Sequence, residues 1–306
     1  MPDSVCCVCG EPGAHFTAGR AFCERHYQSA QHERRGLRTT GLAQVGGLVI
    51  FVLLVWGLER WLRPEFTPTT LMLAGAVLAL APALLWLTFF YQQDRHEPEP
   101  KELVAQVFLL GALLAAALDT PVLTRLFGVQ NWLRADPLTH LLGAILVVGF
   151  TREFLKYAAV RFSVYRSAEF DEATDGVIYA TAAGLGYATV LNLQYVMNSG
   201  GLELGAGAIR LTVNTLAQAS FAGVTGYFLG RARFENRPVW WLPAGLALSA
   251  LLNGLFQVAR EELTRGTLRP GAGALNPWLS LALGAGLAVL TTVALTALVR
   301  RNLFAA

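Results

Sequence analysis

The sequence predicts an all-α fold: a polytopic membrane helix bundle with about eight transmembrane helices and a small N-terminal zinc-knuckle module. Three observations predict it. Hydrophobic residues make up 54% of the 306 residues and charged residues only 15%, whereas soluble domains usually carry about 25% charged residues. Apolar segments of membrane-spanning length recur along the chain. All four cysteines lie together before the first of these segments.

Eight apolar segments follow Gly41, each near the roughly 20 residues that cross the hydrocarbon core of a bilayer. Their ranges are 42–58, 70–91, 103–119, 138–157, 175–197, 209–230, 239–258 and 278–299. Two of them, 42–58 and 103–119, are short for a span, and their flanking residues can extend them. The first segment begins too late for a secretory signal peptide and lacks a small-residue cleavage pattern. We therefore expect it to remain in the protein.

Arginine and lysine are distributed unequally between the two sides of the predicted bundle. Sixteen of them lie on the side of both termini and eight on the other side. Because cytoplasmic loops carry the excess of positive charge, the bias predicts an integral plasma (inner) membrane protein with its N- and C-termini in the cytoplasm. Membrane lipids surround such a protein. A net charge of +3 without basic runs that alternate with aromatics argues against a nucleic-acid partner.

Residues 1–30 carry a cysteine and histidine pattern that is typical of a structural zinc site. Cys6 and Cys9 form one close pair, and Cys23 and His26 form a second pair after thirteen intervening residues. Two such pairs around a short loop supply four tetrahedral ligands. Thiolate and imidazole groups also suit zinc better than calcium or magnesium. The pattern resembles small zinc-ribbon or treble-clef modules and predicts a structural zinc ion.

The assignment of the four ligands leaves alternatives open. Cys7 or His15 could replace one of them, and free cysteines in a disordered tail are the other interpretation of the pattern. The predicted cytoplasmic location favours metal over disulfides, because disulfides need an oxidising compartment. A basic linker, 31–41, then connects this module to a transmembrane domain, 42–302.

Polar side chains within the apolar segments are the most informative feature for function, because ionisable groups at membrane depth are costly. Glu153 and Lys156 are spaced i,i+3 on one helix and can pair, and Glu153 could instead activate water as a general base. Asp171 and Asp175 lie one turn apart near a helix start, where acids complement the helix dipole. Further polar residues, each more often interhelical contacts than catalytic groups, are Asn192, Asn214, Gln218, Ser220, Ser249 and Asn253.

Two stretches of the sequence resemble the PrsW family of intramembrane proteases, which is related to the CAAX-protease group. The loop DRHEPEPKEL, residues 94–103, is similar to that family's acid-proline entry motif. The stretch FDEATDGVIYATAAGLGYATVLN, residues 170–192, is similar to its long signature around a second acidic helix. VTGYFLG and LLNGLF resemble its later helices more weakly. The resemblance extends from about Tyr91 to about Phe256.

The resemblance implies four polar motifs that converge inside the membrane, and this sequence keeps half of their residues. The matching positions are Glu153, Lys156, Asn192 and Asn253. The family's glutamate before Glu153 is Arg152 here, and its glutamate before Asn192 is Leu191.

The family's two histidines are also replaced, by Gln218 and Ser249. A catalytic metal needs about three protein ligands, usually His, Asp, Glu or Cys. Leu191 cannot bind a metal, Gln218 and Ser249 are neutral and weak ligands, and Arg152 adds positive charge where a cation would lie. The sequence therefore predicts no intramembrane catalytic metal.

Two hypotheses from different classes follow. The favoured one is a PrsW-like membrane protein without metalloprotease activity, a scaffold that binds a transmembrane segment or a membrane-protein partner. The alternative is an active intramembrane peptidase with a rearranged site, in which Glu153 is the general base, Lys156 is its neighbour, Asp171 or Asp175 helps and metal is optional. A transporter or channel is less supported, because the segments show no pair of broken helices in matching halves.

Overall fold

The computed structural model describes residues 5–6, 11–17, 20–62, 67–93, 100–199, 204–265 and 277–302. A two-stranded antiparallel hairpin, β1 (His15–Thr17) and β2 (Arg20–Phe22), precedes the helices. The α-helices are α1 (Glu24–Leu62), α2 (Pro68–Gln93), α3 (Lys101–Leu114), α4 (Val129–Trp132), α5 (Pro137–Gly143), α6 (Phe150–Arg161), α7 (Asp175–Asn198), α8 (Leu204–Phe234), α9 (Trp241–Arg265) and α10 (Pro277–Asn302). Three π-helical segments are π1 (Ala115–Asp119), π2 (Val122–Leu126) and π3 (Ala144–Gly149).

Seven helical stretches in the described part of the chain are long and apolar enough to cross a membrane. They are Ala43–Trp61, Pro68–Thr88, Lys101–Leu126, Pro137–Arg161, Asp175–Asn198, Trp241–Leu263 and Trp278–Leu295. Each coincides with one predicted segment, and the flanks of 103–119 extend it to Lys101–Leu126 as expected. The predicted polytopic helix bundle is confirmed, and the chain is an integral membrane protein.

The remaining predicted segment, 209–230, lies within α8, which is long enough to cross a bilayer but is not among the seven most apolar stretches. Its position in the bundle explains its composition. Nearly every side chain from Gly205 to Arg231 is buried against other helices, so α8 contacts protein instead of lipid. A helix enclosed in this way can carry threonine, asparagine and glutamine, because neighbouring helices satisfy their hydrogen bonds.

Glycines let α7 and α8 pack with their backbones in contact at the centre of the bundle. A Cβ atom at Gly226 would lie 2.1 Å from the carbonyl oxygen of Gly176, and one at Gly230 would lie 2.0 Å from that of Ala173. Gly226 and Gly230 form a G-x-x-x-G pair, the spacing that places two small residues on one helix face. This contact fixes the depth of α8 relative to α7 and hence the depth of its polar side chains.

A second close approach joins α9 to π3. A Cβ atom at Gly254 would lie 2.5 Å from Cα of Ile145, and one at Gly149 would lie 2.4 Å from the carbonyl oxygen of Ala250. Because π-helical turns insert an extra residue and rotate the helix that follows, π3 sets which face of α6 meets α9. The contact brings Asn253 of α9 against Glu153 of α6.

The two ends of the bundle differ in what they carry. At one end α1, α7 and α9 finish and α2, α5, α8 and α10 begin; we call it the Arg134 end, and the opposite one the hairpin end. At the Arg134 end, Glu59 accepts a hydrogen bond from the backbone N–H of Gly205 (2.9 Å) and so satisfies a free donor at the start of α8.

Asp136 caps α5 at the same end by accepting hydrogen bonds from the backbone N–H groups of Leu138 and Thr139. The hydrogen bond from the Thr139 hydroxyl, together with these backbone bonds, lowers the pKa of Asp136. A charged cap of this kind fixes where the following span begins, because it satisfies donors that the helix leaves unpaired.

Candidate active centre

A buried polar cluster lies in the middle of the bundle, where α6, α8 and α9 meet. The Lys156 ammonium donates to Glu153 Oε1 at 2.6 Å and to Gln218 Oε1 at 2.9 Å. Asn253 Nδ2 donates to the same Glu153 Oε1 at 2.6 Å. All four side chains are at most 3% exposed. Helical spacing alone brings Glu153 to Lys156, whereas Gln218 and Asn253 arrive on two other helices.

The rest of the Lys156 environment is aromatic. Its Nζ lies 5.7 Å from the centroid of the Tyr187 ring and 5.9 Å from that of Phe221. Aromatic faces attract a cation most strongly where water is excluded. The ammonium is therefore held by one carboxylate, one amide and two rings, and the pair that it forms with Glu153 carries no net charge.

The two oxygens of the Glu153 carboxylate differ. Oε1 accepts from both Lys156 and Asn253, whereas Oε2 is buried and has no hydrogen-bond partner among the described residues. A buried acceptor without a partner is uncommon in folded proteins. Chemically, Oε2 is the atom that could accept a proton or a hydrogen bond from a group brought to the centre.

A second polar cluster lies beside the first, on the side of the Arg134 end. Arg152 Nε donates to Asp119 Oδ1 at 3.4 Å, and its Nη1 donates to Gln257 Oε1 at 3.3 Å. The Tyr187 hydroxyl donates to Asp119 Oδ1 at 2.6 Å. Arg152, which stands where the resemblance expects a glutamate, is thus compensated by a carboxylate from π1.

The other motif positions do not join the centre. Asn192 donates to the backbone oxygen of Leu211 and to Thr215 Oγ1, both at 3.2 Å, and bridges α7 to α8. Ser249 accepts from the Thr225 hydroxyl at 2.8 Å. Leu191 packs in an apolar cluster with Ala115, Leu155 and Tyr187. Of the positions that the sequence singled out, the structure brings together Glu153, Lys156, Gln218 and Asn253.

The acids proposed as helpers lie elsewhere. Asp175 is buried at the start of α7, where its Oδ2 accepts from the backbone N–H of Glu172 at 2.6 Å. Tyr187, which borders the cluster, lies twelve residues further along α7, about 18 Å along the helix axis. Asp171 precedes α7 altogether. Neither aspartate reaches Glu153, and the acidic loop 94–99 lies outside the described residues.

The side chains at the centre do not fit a catalytic divalent metal. Within the described part of the chain, no three His, Cys, Asp or Glu side chains lie together in a way that could hold a metal ion. Among the described residues, Glu153 supplies the carboxylate of the cluster, and its cationic neighbour is the Lys156 ammonium. Gln218, at a position where the resemblance expects histidine, already accepts a hydrogen bond from that ammonium.

The N-terminal module is described in part. Cys6 and Cys23 are buried, and Cys23 directly precedes α1, so that the hairpin leads into the helix start. His15 contacts Glu24 and stacks on Tyr27 with ring centroids 4.0 Å apart. Cys7, Cys9 and the side chain of His26 lie outside the described residues. The backbone of the predicted linker, 31–41, lies within α1.

Asp119 and Gln257 belong to the second polar cluster but were not predicted from the sequence. Asp119 is the single ionisable residue in the segment 103–119, and an ionisable residue at membrane depth was in itself a sufficient signal. Gln257 follows Asn253 by one helical turn, so the i,i+4 spacing of polar residues on α9 was the signal for it.

Comparison with known proteins places this arrangement in a family. The PrsW family intramembrane metalloprotease domain matches residues 99–299. Protease PrsW of Halalkalibacterium halodurans is 34% identical over 179 residues, which cover 58% of this chain and 79% of that protein. Protease PrsW of Bacillus subtilis is 30% identical over 197 residues, which cover 63% of this chain and 85% of that protein. No solved structure matches the chain.

The matched region contains both polar clusters, α3 and all the later helices except the end of α10. The hairpin, α1 and α2 precede it. Since the match covers well over half of the chain, the resemblance inferred from the two sequence stretches is confirmed. The chain belongs to the PrsW family of intramembrane metalloproteases.

Proposed function

We propose that this chain keeps the PrsW helical scaffold without metalloprotease chemistry, and that it binds a transmembrane segment or a membrane-protein partner. The observation that carries the proposal is Gln218, which stands where the resemblance expects histidine and whose Oε1 accepts a hydrogen bond from the Lys156 ammonium at 2.9 Å. Protein zinc ligands are Cys, His, Asp and Glu side chains, and the neutral amide of Gln218 is already bonded to a cation. Lys156 itself matches the family pattern, so the replaced residue Gln218 is what distinguishes this centre.

The neighbouring substitutions support the same conclusion because each has its own partner. Arg152 pairs with Asp119, and Ser249 bonds to Thr225. Leu191 contributes to an apolar cluster. A buried polar replacement without a partner would cost about 1–3 kcal/mol. Arg152 and Ser249 avoid that cost, and the unpaired buried oxygen in the described part of the centre belongs to Glu153, which is not a replacement.

The test is hydrolysis of a panel of single-pass membrane proteins by the purified chain in lipid bilayers. Protease PrsW of Bacillus subtilis is the positive control in the same assay. We expect no cleavage by this chain and retention of one or more panel members in a pull-down. Cleavage that disappears in Glu153→Gln, a substitution that keeps the shape of the side chain, would contradict the proposal.

A second candidate function is an intramembrane peptidase that uses Glu153 as general base. The observation that favours it is Glu153 Oε2, which is buried without a hydrogen-bond partner among the described residues and could accept a proton from water. Lys156 and Asn253 would hold the carboxylate in place. In this case cleavage by the purified chain persists in the presence of chelators and is lost in Glu153→Gln.

We propose that the N-terminal module, residues 1–30, binds one structural zinc ion through Cys6, Cys9, Cys23 and His26. The burial of Cys6 and Cys23 and the hairpin that leads into α1 support this assignment. Metal analysis of the purified chain should give one zinc per chain, which Cys6→Ser with Cys23→Ser abolishes. A second metal that survives those substitutions would favour the peptidase.

A further inference from the structure

Arginine side chains at the hairpin end of the bundle fall into two groups that differ in their partners. Arg231 in α8 and Arg237 just after that helix both form ion pairs with the carboxylate of Glu235. Arg161, the last residue of α6, and Arg233, in the last turn of α8, form no ion pair with a described residue. The first group therefore has its counter-ion within the described part of the chain, and the second group does not.

The two unpaired arginines meet at one tyrosine ring. The Cζ atom of Arg161 lies 4.3 Å from the centroid of the Tyr165 ring, and that of Arg233 lies 5.6 Å from the same centroid. Tyr165 follows Arg161 closely in the segment between α6 and α7, whereas Arg233 comes from α8. The tertiary structure therefore brings two cations from different helices to one point.

Most N–H donors of these two side chains remain available. Arg233 Nη2 donates to the backbone oxygen of Ser167 at 3.0 Å, and its Cζ lies 5.1 Å from the centroid of the Phe170 ring. A guanidinium group carries five N–H donors in its plane, and stacking on a ring uses the face of that plane and leaves its edge free. Arg161 and Arg233 are also both partly exposed. An acceptor from outside the chain can therefore reach them.

The acidic residues of the neighbouring loop do not neutralise this pair. Glu169, Asp171 and Glu172 are exposed, and within the described part of the chain none of them forms an ion pair with either arginine. The Glu172 carboxylate accepts a hydrogen bond from the Thr174 hydroxyl at 3.1 Å instead. Because like charges that lie close together repel one another, the two arginines favour an anion supplied from outside.

Both arginines lie at the boundary of the membrane-spanning helices. Arg161 is the last residue of an apolar stretch long enough to cross a membrane, and Arg233 lies just beyond the predicted segment 209–230. Each is followed by an exposed phenylalanine, Phe162 at 79% and Phe234 at 44% exposure. Exposed apolar side chains beside polar ones mark contact with a membrane. The lipid headgroups of one leaflet therefore lie at the depth of the two guanidinium groups.

We propose that Arg161 and Arg233 bind the phosphate of an anionic phospholipid in the leaflet at the hairpin end. Guanidinium groups bind phosphate oxygens through two parallel N–H donors, and basic pockets between membrane helices take anionic headgroups. The arginine and lysine bias predicts that this end faces the cytoplasm, whose leaflet carries anionic lipid. The exposed phenylalanine beside each arginine favours a lipid over a soluble phosphate, because it contacts the acyl chains.

The lipid site connects two helices of the buried centre. Arg161 lies on the helix that carries Glu153 and Lys156, and Arg233 lies on the helix that carries Gln218. A phosphate bound to both arginines holds the ends of α6 and α8 together, and a ligand that binds the folded state alone stabilises that state. The inference does not depend on the chemistry of the centre, so its failure would leave the proposed function untouched.

The first experiment measures lipid binding to the purified full chain by native mass spectrometry. The probes are phosphatidylglycerol and phosphatidylcholine with identical acyl chains, because both carry a phosphate but only the former has a net negative charge. We expect phosphatidylglycerol to bind at least about tenfold more tightly. Arg161→Gln and Arg233→Gln should each weaken its binding about fivefold, as expected for one arginine near an anionic lipid, and should leave phosphatidylcholine binding unchanged.

Arg237→Gln is the matched control. It removes one positive charge at the same end, from an arginine that also stacks on an aromatic ring but has a carboxylate partner. It should change the affinity for phosphatidylglycerol by less than about twofold, because the charge of Arg237 is already compensated. Equal effects of the three substitutions, or no preference of the unaltered chain for phosphatidylglycerol, would overturn the site.

The second experiment uses the unaltered chain and so does not depend on the folding of a variant. Phenylglyoxal, an uncharged reagent that modifies arginine, is added to the chain in nanodiscs of either lipid, and mass spectrometry reads the modification of each arginine. Phosphatidylglycerol should slow the modification of Arg161 and Arg233 relative to that of Arg237. Equal rates in the two lipids, or equal slowing at all three arginines, would contradict the proposal.

The deacylated headgroup, glycerophosphoglycerol, separates a lipid site from a site for a soluble phosphate. We expect it to give no protection at the concentration at which phosphatidylglycerol protects. If it protects Arg161 and Arg233 equally well, the lipid part of the inference is wrong. Phosphatidylglycerol should also raise the melting temperature of the unaltered chain and of Arg237→Gln. A rise that persists when Arg161→Gln and Arg233→Gln are combined would place the lipid elsewhere.

Discussion

Glu153 and Lys156 form an ion pair in which both side chains are buried. Removing one partner of a buried pair leaves an uncompensated charge and costs about 3–5 kcal/mol, whereas replacing both by neutral groups of similar shape is often close to neutral. Each member of the pair also has a second hydrogen-bond partner: Asn253 donates to Glu153, and Lys156 donates to Gln218. A structural pair and a catalytic pair therefore predict different mutational patterns.

We expect Lys156→Met to destabilise the chain by about 3–5 kcal/mol, because it leaves the Glu153 carboxylate buried without its cation. Adding Glu153→Gln should recover most of that loss. The measurement is unfolding in mixed micelles of the two single variants and the double variant. Phe154→Leu, on the exposed face of the same helix, is the control and should have little effect. A double variant that loses the sum of the two single effects would show that the two residues do not act as a pair.

The Arg152–Asp119 pair depends on a tyrosine. Tyr187 donates its hydroxyl proton to the same carboxylate oxygen that accepts from Arg152. Hydrogen bonds to charged groups contribute about 1.5–3 kcal/mol. The pair is less buried on its arginine side than on its aspartate side, so the carboxylate is the group that most needs a second donor.

Tyr187→Phe should therefore lower the free energy of unfolding by about 1.5–3 kcal/mol. Tyr157→Phe, a half-buried tyrosine that packs on Phe154, should change it by less than about 0.5 kcal/mol. In the Asp119→Asn background the effect of Tyr187→Phe should shrink, because the acceptor is no longer charged. An undiminished effect in that background would assign the loss to packing instead.

At the scale of the elements, the position of α9 decides whether the centre exists. Asn253 and Gln257 reach α6 because α9 lies with its backbone against π3 at Gly254 and Gly149. The segment π3 lies directly before α6, which carries Arg152, Glu153 and Lys156, and the segment π1 contains Asp119. The charged residues of both clusters therefore lie in or next to π-helical turns. The close backbone contact at the glycines and the π-helical turns together orient these side chains.

Gly254→Ala tests this contact, because the added Cβ would lie 2.5 Å from Cα of Ile145 and α9 would have to move away. We expect a loss of about 1–3 kcal/mol in the free energy of unfolding, typical of overpacking. Gly286→Ala is the matched control, since a Cβ there meets nothing within 4 Å. It should be neutral or slightly stabilising, by up to about 1 kcal/mol, because alanine favours helix. Equal effects of the two substitutions would refute the role of the α9–π3 contact.

At the scale of the whole molecule, two parts of the chain differ in family match and in chemistry. The family match begins at residue 99, so the hairpin, α1 and α2 lie outside it. The matched part carries the buried clusters, and the unmatched part carries the cysteines. The excess of arginine and lysine at the hairpin end predicts that this end faces the cytoplasm.

Reporter fusions test that orientation. Alkaline phosphatase fused after the C-terminus should be inactive and green fluorescent protein fused there should fluoresce, because both report a cytoplasmic location. A fusion at Ala135, in the loop at the Arg134 end, should give the opposite pair of results. If the two positions report the same side, the number of spans between them is even instead of the predicted five, and the arrangement of eight crossings is wrong.

The sequence by itself determined the helices, the presence of polar residues within the apolar segments and the pairing of Glu153 with Lys156. These depend on composition and on helical periodicity, which are local properties of the chain. The family resemblance likewise rested on two contiguous stretches. Asp119 was identifiable on the same local grounds, as a charge within an apolar segment.

Only the tertiary structure decided which polar residues meet. Gln218 and Asn253 lie 62 residues after Lys156 and 100 residues after Glu153, respectively, and Asn192 pairs within the α7–α8 contact instead of joining them. Periodicity fixes which residues share a face, but it does not fix the rotation and depth of one helix against another. Here backbone contacts at glycines and the π-helical turns set both, and so they brought Gln218 and Asn253 to the Glu153–Lys156 pair.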